Sequence, residues 1–179
     1  MNKSNHILKV AAVVIEQQSE AIAGLAPQLN KDFEHVVDWV HKGNGRLVLT
    51  GIGKSAIIGM KISATLNSTG TKSIFMHAAD AIHGDLGMIE QQDIVLCLSK
   101  SGTSAEIKTL VPLLKNRGNK LIGMTANPTS FPCPKCRCNL TCWHTKRSRS
   151  IQFSANHKYH GTACYGRYAG HLPYGALWF

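Results

Sequence analysis

Short apolar runs alternate with amphipathic segments along the first 131 residues of the chain. Continuous apolar runs predict four buried strands, and apolar positions that recur at helical spacing predict helices before and between them. The predicted strands cover 46–51, 73–76, 93–98 and 120–125, and the predicted helices cover 5–24, 27–42, 54–68 and 103–117. The segment 77–89 is interpreted as a helical turn and a loop. Strands that alternate with helices and are buried on both faces predict an α/β fold, a doubly wound parallel sheet with two further helices at its N-terminus.

The apolar segment near the N-terminus is interpreted as a helix. It continues into Glu16 and Glu20 at helical spacing and has no clear cleavage site for a signal peptidase. Elsewhere, apolar runs stay short of the roughly 18 residues that a transmembrane helix needs. We therefore expect a cytoplasmic protein with no membrane partner.

Polar loops follow all four predicted strands. They are Thr50-Gly51, the segment after Met76, residues 99–104 and the stretch 125–127. Ligands of doubly wound sheets bind outside the carboxyl ends of the strands. Because several of these loops are rich in Ser, Thr and Gly, they predict a ligand site at this edge.

The first of these loops has the order Gly51-x-Gly53-Lys54-Ser55 and leads directly into a helix. Glycines let a ligand approach the backbone, and the first amides of a helix attract anions. The spacing fits neither a Walker loop nor a dinucleotide-binding loop. Taken alone, this segment fits a phosphate-binding loop and an ordinary strand–helix turn equally well.

The third loop, SKSGTS, offers four hydroxyls in six residues before a helix. Hydroxyls and free amides are good donors to a phosphate. The alternative is that these residues only cap the helix, with Thr103 or Ser104 as N-cap, but capping explains only one hydroxyl. Phosphate binding is therefore the favoured interpretation. Glu106, in the first helical turn, either complements the helix dipole or acts as a base near the phosphate.

These segments together resemble the sugar isomerase (SIS) domain, and within it the arabinose-5-phosphate isomerase family. The matching segments are TGIGKS (50–55), STGT (68–71), HGDLGMI (83–89) and SKSGTSAEI (99–107), and the resemblance runs to about Ser130. It implies a flavodoxin-like layered fold and the interconversion of D-arabinose 5-phosphate and D-ribulose 5-phosphate, on the route to the Kdo sugar of lipopolysaccharide. It also implies a sugar-phosphate ligand, a homo-oligomer and no required cofactor.

The resemblance suggests Lys54 and Glu106 as the catalytic residues. Isomerisation through an enediol needs a base and a positive group near the developing oxyanion, and these two residue types fit those roles. The residues expected to contact substrate are Ser55, Gly70, Thr71, His83, Ser99, Ser101, Gly102, Thr103 and Ser104. His83, taken alone, is equally well explained as an ordinary loop histidine. His77 matches a metal-binding position of the family, where zinc tends to inhibit.

The composition changes sharply after residue 131. Residues 1–131 contain 13 Lys and Arg against 10 Asp and Glu, whereas residues 132–179 contain 7 basic residues and no acidic one. Five of the six cysteines lie in this second part, and the family resemblance has already stopped. One interpretation is a zinc site that binds nucleic acid through the basic tail. Its ligands would be Cys133, Cys136, Cys138, Cys142 and His144.

A shift of reading frame explains the tail better. With codons chosen for the best match, residues 132–146 read one nucleotide later give LAQSADAILHVGTP, and residues 152–174 give NLAPTTSTTAQLVMGDTLAICLM. Both segments are of the kind that continues this family. We therefore predict an incomplete SIS domain over 1–131 and an out-of-frame, irregular and poorly ordered tail over 132–179, with zinc and nucleic-acid binding not expected. The alternative for the core is a sugar-phosphate-binding module without catalysis.

Overall fold

The computed structural model describes residues 3–127, Ser130 and 138–141, and the side chains of residues 8–127 and Ser130. The helices are α1 (Lys3–Ala23), α2 (Lys31–Lys42), α3 (Lys54–Ser68), α4 (Ala78–Ile82) and α5 (Ala105–Asn116), and the strands are β1 (Leu47–Gly51), β2 (Ser73–His77), β3 (Ile94–Leu98), β4 (Lys120–Thr125) and β5 (Cys138–Thr141). Short 3-10 turns cover Ala26–Gln28 and Asp85–Met88. Among these helices, none is long and apolar enough to cross a membrane.

The strands form one parallel sheet in the order β2-β1-β3-β4-β5. The chain runs outward from β1 to β2, crosses back to β3 on the other side of β1, and continues outward. This reversal confirms the predicted doubly wound α/β fold. All four predicted strands form, within one or two residues of their expected ends.

A fifth strand was not predicted. β5 lies in the stretch expected to be an irregular tail, and it pairs in parallel with β4, with Thr125 opposite Thr141. Over these four residues, the expectation of an irregular tail is wrong. The remainder of the tail prediction, and four of the five proposed zinc ligands, lie outside the described residues.

Two apolar layers cover the sheet, one on each face. Leu47 and Leu49 of β1 pack in one cluster with residues of α2 and α3, whereas Val48 packs in the other with residues of α5. Successive side chains of a strand point to opposite faces. The continuous apolar runs of β1 and β3 therefore reflect burial on both sides, and both strands are buried at every position.

The sequence prediction joined two elements before β1 that the structure separates. The predicted helix over 27–42 is a 3-10 turn followed by α2, because Asn30 interrupts the helical path. Asn30 has extended backbone, and its side chain accepts a hydrogen bond from the Phe33 amide at 3.2 Å. Asn30 is therefore the N-cap of α2.

A buried ion pair joins the amino ends of β1 and β3. The Asp93 side chain is 1% exposed and accepts a hydrogen bond from Arg46 Nη2 at 2.7 Å. Asp93 also accepts from the backbone amides of Arg46 at 2.8 Å and Glu90 at 3.0 Å. These bonds fix the edge of the sheet opposite the predicted ligand site.

Candidate functional site

Two helices begin side by side at the carboxyl edge of the sheet. β1 and β3 are neighbours, and their last residues, Gly51 and Leu98, are paired in register. The chain enters α3 three residues after Gly51 and enters α5 seven residues after Leu98. Since helix N-termini favour negative charge, this edge has the local geometry of an anion site.

The loop after β1 depends on two glycines. A Cβ atom at Gly51 would lie 3.1 Å from the Leu98 carbonyl oxygen and 3.2 Å from Ser55 Cβ, so a side chain would crowd this turn. Gly53 has a φ of 57° and is the N-cap of α3, without a side-chain cap. Lys54 begins α3 in an exposed position, and Ser55 behind it is 8% exposed. The loop thus presents a lysine and an uncapped helix start.

The loop after β3 is organised by its own hydroxyls. Ser99 Oγ accepts a hydrogen bond from the Gly102 amide at 3.1 Å and lies 3.1 Å from Ser104 Oγ. Ser101 Oγ accepts from the Thr103 amide at 3.2 Å and from the Thr103 hydroxyl at 2.8 Å. Gly102 has a φ of 65°, the left-handed conformation that favours glycine. All five predicted residues of this loop therefore lie within one compact turn.

The capping explanation for this loop is not supported. Ser104 occupies the N-cap position of α5, but its side chain makes no capping hydrogen bond. Its hydroxyl faces Ser99 instead, at 3.1 Å. Glu106 lies in the first turn of α5 and is half-buried. The first amides of α5 thus have no side-chain cap, and a carboxylate lies next to them.

The two predicted histidines flank α4. His77 ends β2 opposite Gly51, and its Nδ1 lies 3.7 Å from Asp80 Oδ2. His83 follows α4 and is exposed. In the part of the chain that the structure describes, no three His, Cys, Asp or Glu residues are grouped to hold a metal ion. Zinc binding at His77 stays a prediction.

Two predicted substrate contacts lie far from this edge. Gly70 and Thr71 follow the last turn of α3 and precede β2, so they lie at the amino edge of the sheet. α3 has 15 residues, and a helix of that length is about 22 Å long. Within one chain, Gly70 and Thr71 are therefore not grouped with the other predicted residues, and their contact with substrate stays a prediction.

Two threonines that end strands at this edge were placed in the predicted polar loops but not among the predicted site residues. Thr50 is fully buried, and its hydroxyl has no hydrogen-bond partner among the described residues. Thr125 is 2% exposed, and its hydroxyl lies 3.2 Å from the Lys100 carbonyl oxygen. The sequence signal for both residues is a hydroxyl at the end of an apolar strand.

Known proteins are similar to this chain in sequence. The SIS domain profile matches residues 41–153. The chain is 44% identical over 130 residues to a probable arabinose 5-phosphate isomerase of Haemophilus influenzae, covering 73% of this chain and 39% of the relative. It is 46% identical over 142 residues to the arabinose 5-phosphate isomerase KdsD of Pseudomonas aeruginosa, covering 78% of this chain and 44% of the relative. The chain thus spans about two fifths of the length of these curated relatives.

Solved structures show the same fold. A protein of Escherichia coli CFT073 in complex with arabinose 5-phosphate superposes with a TM-score of 0.85 at 29% identity, covering 93% of this chain and 88% of that one. The NanR protein of Vibrio vulnificus, complexed with ManNAc-6P, has a TM-score of 0.73 at 18% identity, covering 87% of this chain and 58% of that one. The second similarity concerns the fold alone. Because the family profile matches more than half of the sequence, this chain belongs to the SIS domain family.

Proposed function

We propose that this chain carries the sugar-phosphate site of an arabinose 5-phosphate isomerase, which interconverts D-arabinose 5-phosphate and D-ribulose 5-phosphate. The observation that carries the proposal is the hydroxyl network of the 99–104 loop. Its N-cap hydroxyl bonds to Ser99 and leaves the start of α5 without a side-chain cap. The names of two relatives and the arabinose 5-phosphate bound to a structural neighbour support this choice of substrate.

The proposed binding mode uses both loops. The phosphate group accepts hydrogen bonds from the exposed Ser101 hydroxyl and from the first amides of α5, and Thr103 supports Ser101 by donating its hydroxyl to Ser101 Oγ. The uncapped start of α3, with Lys54, adds positive potential beside it. A phosphate held at this point leaves the sugar carbons free to lie along the edge toward His77 and His83. Those two histidines are proposed to contact sugar hydroxyls.

The proposed chemistry moves one proton between two sugar carbons. Glu106 removes the proton from C2 of the aldose and returns it to C1, through an enediol. The aldehyde oxygen at C1 gains a proton, and the hydroxyl at C2 loses one to become the ketone. Lys54 stabilises the negative charge that develops on oxygen during this transfer. In this proposal the carboxylate moves the proton between the carbons and the ammonium group balances the charge on oxygen.

A binding module without catalysis is the second candidate. The fold also occurs in NanR with ManNAc-6P, although the identity of 18% concerns the fold alone. Such a module needs the phosphate loop but not Lys54 and Glu106 as catalytic groups. Turnover of D-arabinose 5-phosphate by a protein with the reading frame restored discriminates between the two candidates, since a binding module leaves the sugar unchanged.

A thermal-shift experiment on the 179-residue chain tests the shared part of both candidates. A ligand that binds only the native state at 100 times its Kd stabilises it by about 2.7 kcal/mol. We expect D-arabinose 5-phosphate to raise the Tm and D-arabinose, which lacks the phosphate, to leave it unchanged. Ser101→Ala should reduce the protection.

The matched control for this experiment is Thr65→Ala. Thr65 also donates a hydroxyl hydrogen bond, to the Lys61 carbonyl at 3.0 Å, but it lies on α3 away from this loop. Its replacement should leave the protection intact. Equal protection of wild type and Ser101→Ala would argue against this loop as the phosphate site.

A further inference from the structure

The ligand loop is attached to β4 at two points, the Ser99 amide, which donates to the Met124 carbonyl oxygen at 3.1 Å, and the Lys100 carbonyl group. The Lys100 carbonyl oxygen accepts a hydrogen bond from the Ala126 amide at 3.0 Å and a second from Thr125 Oγ1 at 3.2 Å. Lys100 lies between Ser99 and Ser101, whose hydroxyls organise the rest of the loop. The position of the loop therefore depends on groups 25 residues further along the chain.

The surrounding bonds show where the Thr125 proton goes. A hydroxyl has one proton to donate and two lone pairs that accept. The Asn127 amide donates to Thr125 Oγ1 at 3.1 Å, and Ser130 Oγ donates to the Asn127 carbonyl at 2.7 Å. Thr125 thus accepts from Asn127, and Ser130 has used its own proton. Of the acceptors left for Thr125, the Lys100 carbonyl at 3.2 Å is nearer than Ser130 Oγ at 3.4 Å and the Asn127 carbonyl at 3.5 Å.

Burial makes this bond hard to replace. Thr125 is 2% exposed, so water has little access to its hydroxyl. A valine here has the same shape but removes the donor to Lys100 and the acceptor for the Asn127 amide, and an unsatisfied buried group destabilises its surroundings. The two lost hydrogen bonds involve Lys100, at the start of the 99–104 loop, and Asn127, in the segment after β4.

We propose that Thr125 is a positioning residue for the ligand loop. It acts through the Lys100 backbone and contacts no substrate. The identity of the ligand in this inference rests on the proposed function, in which the loop binds the phosphate group. A serine at this position keeps the hydroxyl and should keep the loop in place, whereas a valine should loosen it while the β4 strand still forms.

The test compares Thr125→Val, Thr125→Ser and the matched control Thr65→Val. Thr65 also donates its hydroxyl to a carbonyl, that of Lys61 at 3.0 Å, but it lies on α3 away from this loop. Calorimetric titration with D-arabinose 5-phosphate is carried out on the 179-residue chains, well below the Tm of each variant. We expect Thr125→Val to raise the Kd about tenfold, and the serine variant and the control to bind as wild type does.

A second measurement, hydrogen exchange, reports on the stability of the loop in the absence of ligand. Hydrogen exchange of the Gly102 and Thr103 amides should accelerate at least several-fold in Thr125→Val, while exchange in β1 stays unchanged. If wild type binds no D-arabinose 5-phosphate, the proposed function fails, and this exchange pattern alone decides the positioning role. Unchanged loop exchange in Thr125→Val overturns the inference, and so does an unchanged Kd where wild type binds. Equal acceleration throughout the sheet overturns it too, because that pattern indicates general destabilisation.

Discussion

The carboxylate of Asp93 is buried at the amino edge of the sheet, and its charge is balanced by Arg46. Burial by itself raises the pKa of Asp93, but hydrogen bonds from the Arg46 side chain and from two backbone amides lower it below the ordinary value of 3.8. The folded state therefore binds the proton less readily than the unfolded chain. This pair contributes its full stability above about pH 4, and the contribution is lost as the pH falls through the lowered pKa.

Asp93→Asn should lower the free energy of unfolding at pH 7 by about 3 kcal/mol, because it removes the buried carboxylate 2.7 Å from Arg46 and leaves Glu90, at 4.0 Å, as its charge partner. The difference between wild type and variant should shrink as the pH falls below 4, since wild type then loses the charge as well. Urea unfolding at pH 7 and pH 3 measures both effects. Asp38→Asn is a suitable control, because Asp38 makes only an exposed ion pair with Lys42. A pH-independent difference for Asp93→Asn would contradict this account.

Substitution of Lys54 tests the catalytic part of the proposed function. In a protein with the reading frame restored, Lys54→Ala should lower kcat by at least about a hundredfold, because the positive charge near the oxyanion is lost. Its exposed position predicts little change in Tm. Lys61→Ala, an exposed lysine two turns further along α3, is the control. A loss of activity that parallels a loss of folded protein would indicate a structural lysine instead.

At the scale of elements, α3 packs against β2 through a glycine. A Cβ atom at Gly59 would lie 2.9 Å from Phe75 Cε2 and 3.0 Å from Cδ2. Alanine is favoured over glycine inside a helix by about 1 kcal/mol, but crowding a packed core costs about 1–3 kcal/mol. We expect Gly59→Ala to destabilise the protein by about 1 kcal/mol as a net effect. In the double variant Gly59→Ala, Phe75→Leu the clash is removed, so the alanine should stabilise the helix. Urea unfolding of wild type, the two single variants and the double variant measures the coupling energy between the two positions.

The local sequence pattern was sufficient to predict most helices and strands, but it could not predict the contacts between them. Continuous apolar runs mark β1 and β3 because every position of these strands is buried. β5 has the sequence CNLT, with no apolar run, so periodicity could not find it. The Thr125–Lys100 contact joins residues 25 apart, and no local pattern encodes it. Gly70 and Thr71 were grouped with the site through a family motif, and a motif does not state at which edge of a sheet its residues lie.

At the scale of the whole molecule, the position of β5 bears on the proposed frame shift. Over Cys138–Thr141 the chosen shifted reading has the letters AILH, an apolar stretch more typical of a strand than CNLT. We propose that the reading frame changes near codon 132 and that β5 marks the place of a more apolar strand. Deleting one nucleotide there should yield a chain with higher Tm and measurable isomerase activity. The present 179-residue chain should show very low activity.

Sequencing the gene around codons 129–133 and assaying both proteins checks the proposal. Two results would contradict it. One is a 179-residue chain that unfolds cooperatively and binds zinc in a 1:1 ratio, with a tail resistant to protease. The other is a frame-restored protein that is less stable than the present one. Either result would favour the zinc interpretation of Cys133, Cys136, Cys138, Cys142 and His144.

The strand order also determines when the two loops of the proposed ligand site, the Gly51–Ser55 turn and the 99–104 loop, can form during synthesis. β1 and β2 are neighbours, so the Gly51–Ser55 turn can form once β2 has left the ribosome. The 99–104 loop requires β3, which pairs with the other side of β1 and is made later. Until then β1 presents unpaired backbone groups along an open edge. A released chain that ends at residue 92, which contains β1 and β2 but not β3, should therefore be sensitive to protease and bind no sugar phosphate. Early protease resistance of that chain would show that β1 finds another partner before β3 arrives.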